Sequence, residues 1–182
     1  KGYYIDNNDH KTECLIKNND WHNNPGKFQY KINENGEPKT LTIKDVREFS
    51  IYNTSKYIRQ KTNIERASIY TNDLGTEKEP VFKEEVLFLR VLIEGEKSLV
   101  IYEEGSLTKF FYNEGNSNFE QLVYIKYLTA DDKVDEYNKF KQQLWLLLQS
   151  QSNCITEDNL KEIQYNRSSL KNLFTKYYEC NN

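Results

Sequence analysis

Residues Val86 to Leu128 read VLFLRVLIEGEKSLVIYEEGSLTKFFYNEGNSNFEQLVYIKYL and contain four apolar and aromatic runs of strand length. Glycine-bearing segments separate these runs, as in the turns of consecutive antiparallel hairpins. The stretch therefore predicts a β-meander. Its first run, from Val86 to Ile93, is apolar on both faces except at Arg90. This pattern indicates a central strand that is covered on two sides.

The N-terminal half of the chain continues the strand pattern. It predicts a hairpin of strands 3–5 and 11–17, and a second hairpin of strands 28–32 and 40–43 with an Asn-Gly turn between them. Further strands are expected within 44–52, at 57–60 and at 64–70.

Two segments without periodicity predict exposed loops, at 18–26 and at 71–80. Trp21 is the one large apolar residue of the first loop and is a possible binding-loop anchor. If the protein has a binding surface, we expect it in these two loops rather than on the meander.

After Leu128 the apolar spacing becomes helical. Residues 134–148 predict a helix with Asp131 or Asp132 as its N-cap, and Thr156 and Asn166 predict the starts of two shorter helices. The expected fold class is α+β, mainly β, with antiparallel meanders that form a sandwich or an open barrel under a C-terminal helical unit. Residues 1–128 would be the β-rich domain, and residues 129–182 a helical subdomain packed on it in one folding unit.

The chain has three cysteines, Cys14, Cys154 and Cys180. Cys154 follows the long predicted helix and Cys180 ends the last one, so a helical hairpin would bring the two together as a disulfide in an oxidising compartment. Two separately buried thiols are the alternative. Cys14 lies in a strand-like segment and is interpreted as an unpaired core cysteine rather than a nucleophile.

The overall charge limits the classes of partner. The 182 residues carry a formal net charge of −3, with both signs interspersed along the chain. Without a basic stripe to meet phosphates, nucleic acid is not an expected partner. No apolar run approaches the roughly 20 residues that a membrane-spanning helix needs. A chain that begins at Lys1 and contains no Met is expected to be trimmed at its N-terminus.

The sequence contains no motif that predicts catalysis, a cofactor or a metal. His10 and His22 lie in polar segments whose spacing matches no zinc or calcium pattern. The adjacent carboxylates at 84–85 and 103–104 are expected at strand ends, facing water. The chain is therefore interpreted as a non-enzymatic protein. Metal-dependent hydrolysis around His10 and His22 is an alternative that the residues leave open.

Segments spread over nearly the whole chain carry a family resemblance. They are Gly2-Tyr3-Tyr4, KTECLIKN (11–18), Asp20-Trp21 with Asn24-Pro25, TIKDVREF (42–49), LFLRVLIEGEKSLVIYEEG (87–105), KFFY (109–112), EQLVY (120–124), FKQQLW (140–145), Cys154 and KYYEC (176–180). In these segments the chain resembles a family of extracytoplasmic domains from Bacteroidota, which follow a signal peptide and commonly precede a C-terminal outer-membrane β-barrel. The family has no established biochemical role.

The resemblance implies a periplasmic or cell-surface location, with an outer-membrane β-barrel of the same chain or complex, or another envelope protein, as partner. The expected function is a docking or binding module of an outer-membrane-associated protein. A stand-alone secreted protein that binds carbohydrate or peptide is the alternative. Trp21 and exposed tyrosines would then stack on the ligand, although aromatic residues at strand and helix spacing more often form core.

Overall fold

The computed structural model of the protein describes residues 1–69, 73–149 and 154–181. Its strands are β1 (Gly2–Asp6), β2 (Lys11–Ile16), β3 (Lys27–Lys31), β4 (Lys39–Thr42), β5 (Val46–Ile51), β6 (Ser55–Glu65), β7 (Phe82–Ile93), β8 (Lys97–Glu104), β9 (Leu107–Glu114), β10 (Glu120–Gln121), β11 (Ile125–Leu128) and β12 (Val134–Tyr137). The helices are α1 (Phe140–Leu148), α2 (Glu157–Lys161) and α3 (Arg167–Asn181).

Strands β1 to β10 form one antiparallel sheet in the order β10-β9-β8-β7-β6-β5-β1-β2-β3-β4, and β11 pairs with β12 alone. The predicted α+β, mainly β fold is confirmed, and the sheet is a curled half-barrel with helices at the C-terminal end. Strands β7, β8 and β9 are the predicted meander. Its fourth run divides, because β10 stays in the sheet while β11 leaves it.

The curl brings β10 against the far half of β6, beyond the residues that β5 pairs. The Thr62 hydroxyl donates to the carbonyl of Phe119 at 2.7 Å, and the Glu65 N–H donates to Gln121 Oε1 at 2.8 Å. An apolar cluster inside the curl includes Ile64, Leu89 and side chains of β8 and β9. The sheet therefore covers one of its own faces.

Helices cover the opposite face of the meander. Leu99, Ile101 and Phe110 lie in one cluster with the apolar sides of the three helices. Their neighbours along the strands, Val100 and Phe111, lie in the cluster inside the curl. Both faces of this part of the sheet are thus buried, as the apolar runs of the sequence predict.

A third packing centre lies under the N-terminal strands. The Phe49 ring stacks between Phe28, at 4.2 Å between ring centroids, and Tyr57, at 4.9 Å. Phe88 of β7 completes the group, with its ring centroid 5.1 Å from that of Phe49. We call these four residues the aromatic cluster, and it ties β3, β5, β6 and β7 together.

The prediction of a helix from residue 134 is wrong. Residues 134–137 form β12, which pairs with β11 through a turn in which Asp132 adopts a φ of +55°. Asp131 and Asp132 therefore cap no helix, and α1 begins at Phe140 without a side-chain cap. The apolar spacing of Val134 and Tyr137 fits a helix, but their pairing with β11 determines the local structure.

Two other boundaries differ from the sequence predictions. Strand β6 is continuous over Ser55–Glu65, where two strands were expected, and the described residues after Glu65 leave the sheet. Part of the expected strand 64–70 lies outside the described residues. The predicted caps at Thr156 and Asn166 are confirmed, since the side chain of each accepts a bond from a backbone N–H three residues later.

Cys154 and Cys180 come together in disulfide geometry, with their Cα atoms 6.1 Å apart. The pair fixes the end of α3, which is also held by Tyr178. The Tyr178 hydroxyl accepts from the Lys97 N–H and donates to the Lys97 carbonyl, both at 2.8 Å. Cys14 is free and buried, and burial raises the pKa of its thiol to about 11.

We expect thiol labelling to report this arrangement. In unreduced native protein, Cys14 stays unlabelled because it is buried and protonated. Unfolding in urea without reductant exposes one thiol, and reduction exposes three. Mass spectrometry after iodoacetamide treatment measures the count. Three labelled thiols in unreduced, unfolded protein would show that Cys154 and Cys180 are not bonded.

Replacing Gly95 by alanine should destabilise the fold. A Cβ on Gly95 would collide with Tyr178 Oη and lie 2.7 Å from its ring, so Tyr178 must shift and strain its bonds to Lys97. We expect a loss of about 1–3 kcal/mol in the free energy of unfolding, measured in urea. In the matched control Gly26→Ala, the new Cβ meets nothing within 4 Å. Equal stabilities of the two variants would contradict the role of Tyr178.

Candidate ligand-binding cleft

The loop between β2 and β3 is built by local hydrogen bonds of polar side chains. Asn18 Nδ2 donates to Asp20 Oδ1 at 3.0 Å, and the Asp20 N–H donates to Asn18 Oδ1 at 3.0 Å. Asp20 has a left-handed backbone, with a φ of +46°. These local bonds and the left-handed residue immediately precede Trp21.

Trp21 packs edge to face on the aromatic cluster. Its ring lies 5.8 Å from Phe49 and 5.8 Å from Tyr57, nearly perpendicular to both. The residue is only partly buried. The sequence-predicted anchor residue is therefore held on rigid core side chains, with part of the indole left at the surface.

Asn24 fixes the other end of the loop to the central sheet. Its Nδ2 donates to the carbonyls of Phe88, at 2.7 Å, and Ile101, at 2.8 Å. Its Oδ1 accepts from the Glu103 N–H at 3.1 Å, and its own N–H donates to the Glu103 carbonyl at 2.8 Å. The β7–β8 ladder ends at the pair Arg90 and Ile101. Asn24 thus supplies partners for backbone groups where the two strands separate.

The anchored loop borders a cavity of about 570 Å³. Besides Trp21, the wall contains mainly polar and charged side chains, which are Asn19, Asp20, His22, Asn23, Asn24, Lys27, Gln29 and Thr40. Trp21 and His22 also line a smaller cavity, of about 240 Å³, which extends to Tyr57 and Arg90. We call the larger cavity the Trp21 cleft.

The chemistry of the Trp21 cleft suits a ligand that carries hydroxyl or amide groups. A partly exposed indole offers a flat apolar contact, and side-chain amides and hydroxyls both donate and accept. The side chains of Asn19, Gln29 and Thr40 make no hydrogen bond to any residue that the structure describes. They are available to a ligand without breaking an internal bond.

A second large cavity, of about 510 Å³, lies where β6 approaches β10. Several of its polar side chains already have partners. Lys61 pairs with Glu84 at 2.8 Å, and Gln143 bonds the Val123 N–H and the Gln121 carbonyl. The predicted loop 71–80 contributes Pro80 to this wall, while residues 71 and 72 lie outside the described residues. This cavity is the weaker candidate, because a ligand would compete with existing bonds.

The adjacent carboxylates of the sequence are all paired with cations. Arg66 contacts Glu85 at 2.7 Å and Glu104 at 2.5 Å, and its hydrogen bonds lower the pKa of Glu85. Arg167 contacts Glu103 at 2.5 Å. The lowered pKa of Glu85 is the opposite of what a general acid needs, which is a raised pKa.

The two histidines lie in different loops. His10 follows the β1–β2 turn, where its N–H and that of Asn8 bond the Asp6 carboxylate and lower the Asp6 pKa. His22 lines the Trp21 cleft. Among the described residues, no cluster of three or more His, Cys, Asp and Glu side chains has the arrangement of a metal site.

No described helix is long and apolar enough to cross a membrane.

A buried ion pair is the polar feature that the sequence patterns do not reveal. Lys109 Nζ contacts Glu65 Oε2 at 2.7 Å and the Ala67 carbonyl at 2.9 Å, and both side chains are almost completely buried. Burial lowers the pKa of Lys109, while the Glu65 carboxylate opposes the shift. Strand alternation gives one indication that Lys109 is buried. Lys109 and Phe111 are two residues apart in β9, so their side chains lie on the same face as each other, and Phe111 is buried.

Replacing Asn24 by alanine should test the anchoring of the loop. The change leaves the carbonyls of Phe88 and Ile101 and the N–H of Glu103 without the side-chain partner. We expect a loss of about 3 kcal/mol in unfolding free energy, measured in urea, and faster hydrogen exchange at the Glu103 amide. Asn19→Ala is the matched control, since Asn19 is exposed. A loss below about 0.5 kcal/mol in Asn24→Ala would contradict the anchoring role.

The family resemblance expected from the sequence stays a prediction. Function is therefore inferred from the geometry of this chain alone. The chain matches no protein-family model, no curated protein and no solved structure.

Proposed function

We propose that the protein is a non-enzymatic extracytoplasmic binding module, whose ligand occupies the Trp21 cleft. One observation carries the proposal: a partly exposed tryptophan is held on a buried aromatic cluster by a loop that is bonded to the sheet at Asn24. A binding surface on a rigid scaffold loses little conformational entropy when the ligand binds. Aromatic anchors with polar neighbours are the usual form of such a surface.

The disulfide geometry supports the proposed location. Disulfides persist in secreted, periplasmic and cell-surface proteins and are rare where thiols are kept reduced. Cys154 and Cys180 are 26 residues apart, and closing a loop of this size contributes about 3 kcal/mol by restricting the unfolded chain. A periplasmic or cell-surface setting is therefore proposed, with an outer-membrane β-barrel or another envelope protein as the partner.

A stand-alone secreted protein that binds carbohydrate or peptide is the second candidate. The observation in its favour is the set of amide and hydroxyl side chains around Trp21, which matches the donors and acceptors of a sugar or a peptide backbone. The two candidates share the Trp21 cleft and differ in the partner. Cross-linking in the native envelope separates them, because only a docking module would be captured with a membrane protein.

Fluorescence can test the Trp21 cleft directly, because the chain has only two tryptophans. Ligands from glycan and peptide arrays are titrated into a Trp145→Phe variant, in which Trp21 alone emits. We expect a saturable change in emission, because the ligand replaces water at the indole. Trp21→Phe is the matched control, since its remaining Trp145 lies on α1, and there we expect no change.

Two results would overturn the proposal. The first is the absence of any array ligand for the folded wild-type protein. The second is a ligand that changes the emission of Trp145 and leaves that of Trp21 unchanged, since it would bind elsewhere. Circular dichroism of both variants must match the wild type, because Trp21 also contributes to packing with Phe49 and Tyr57.

A further inference from the structure

Another, smaller cavity lies next to the Trp21 cleft at strand β3. Gln29 lines the Trp21 cleft and also a neighbouring cavity of about 220 Å³, whose wall includes Leu15, Lys17, Lys31 and Pro38. Thr40, the register partner of Gln29 in β4, also lines the Trp21 cleft. The two cavities therefore meet at Gln29, one on each side of this residue.

Three lysines lie along this surface. Lys27, Gln29 and Lys31 alternate in β3 and so share one face, with about 13 Å between the Cα atoms of the two lysines. Lys17 lies beside Gln29, because its N–H donates to the Gln29 carbonyl at 2.9 Å. We call Lys17, Lys27 and Lys31 the lysine strip.

The lysine strip is not neutralised within the described part of the chain. None of its three ammonium groups has a carboxylate within ion-pair distance there, in contrast to Lys56, which is paired with Glu48 and Glu94. Asp20 is the one carboxylate that lines either cavity, and it already accepts a bond from the Asn18 side chain. The strip is thus a local positive region in a chain of net charge −3.

We propose that the ligand of the Trp21 cleft is an anionic polysaccharide, which lies along β3 with acidic groups on the lysine strip and a sugar ring against Trp21. This inference rests on the proposed function and names its ligand class. The charge comes from the three lysines, and the sugar recognition comes from the indole, Gln29 and Thr40.

The position of the strip favours a polysaccharide over an acidic peptide. Peptides recognised in extended form usually add a strand to an open sheet edge and bond its backbone. The groups that converge here are side chains on the face of β3, which is an inner strand of the sheet between β2 and β4. A chain of sugar rings can lie across such a face, since it requires hydroxyl partners and no ladder.

The test measures binding of polygalacturonate and dextran sulfate to the wild-type protein by biolayer interferometry at low and high salt. Dextran and poly-glutamate are the neutral and the peptide controls. The variant Lys17→Gln/Lys27→Gln/Lys31→Gln removes the strip. Lys83→Gln/Lys133→Gln/Lys171→Gln removes the same charge from exposed lysines that have no ion pair with any described residue and line neither cavity.

We expect the strip variant to bind at least about tenfold more weakly than the wild type, with a smaller dependence on salt. The control variant should bind within about twofold of the wild type. All six lysines are surface groups, so both variants should keep the wild-type circular dichroism spectrum. Dextran and poly-glutamate should bind weakly or not at all.

The inference is overturned if neither anionic polysaccharide binds, if both triple variants lose binding equally, or if poly-glutamate alone binds through the strip. A neutral ligand that changes Trp21 emission equally in wild-type and strip-variant backgrounds would also overturn it, while the proposed function would stand. Strip-dependent polysaccharide binding without any change at Trp21 would instead count against the proposed position of the sugar ring and against the Trp21 cleft itself.

Discussion

The burial of both faces of strands β7, β8 and β9 is the constraint on which the rest of the structure depends. Apolar side chains alternate to both sides of these strands, so neither face can meet water without a large loss of hydrophobic free energy. Helices cover one face, and the curl of the sheet covers the other. The β7–β8 ladder ends at the pair Arg90 and Ile101, so the first part of β7 and the last part of β8 are not paired with each other.

That separation explains the position of the loop between β2 and β3. Where β7 and β8 separate, their backbone groups need partners, because unpaired groups in a packed interior are costly. Asn24 supplies them, and in doing so it draws the loop between β2 and β3 onto the sheet. Trp21 then lies on the aromatic cluster. Arg66 also bridges the two strands where they are no longer paired, since it forms ion pairs with Glu85 of β7 and Glu104 of β8.

Sequence patterns predict the meander, the two-sided burial and the short helix caps, because each depends on residues close in sequence or on a simple period. The cysteine pair, 26 residues apart, follows from the expected helical hairpin. Sequence patterns do not predict local structure that depends on contacts with residues far away in the sequence. The partners of Asn24 are 64, 77 and 79 residues away, so an Asn-Asn-Pro-Gly segment could only be read as a loop. Val134 and Tyr137 have helical spacing, and only pairing with β11 makes them a strand. Strand alternation indicates that Lys109 is buried, but its partner Glu65 is 44 residues away and cannot be predicted from local patterns.

The same constraint favours the proposed position of the ligand site, at the loop and along β3 rather than on the meander. The meander has apolar neighbours on both faces, and its polar interior is committed to the Lys109–Glu65 pair, whose disruption would leave an uncompensated buried charge. Strand β3 is different, since Phe28 and Tyr30 pack inward while Lys27 and Gln29 face water. Such a strand can present charges on one face at no cost to the core. Strand β3 therefore presents polar side chains to water while its other face packs in the core. The loop anchored by Asn24 places the Trp21 indole beside this strand.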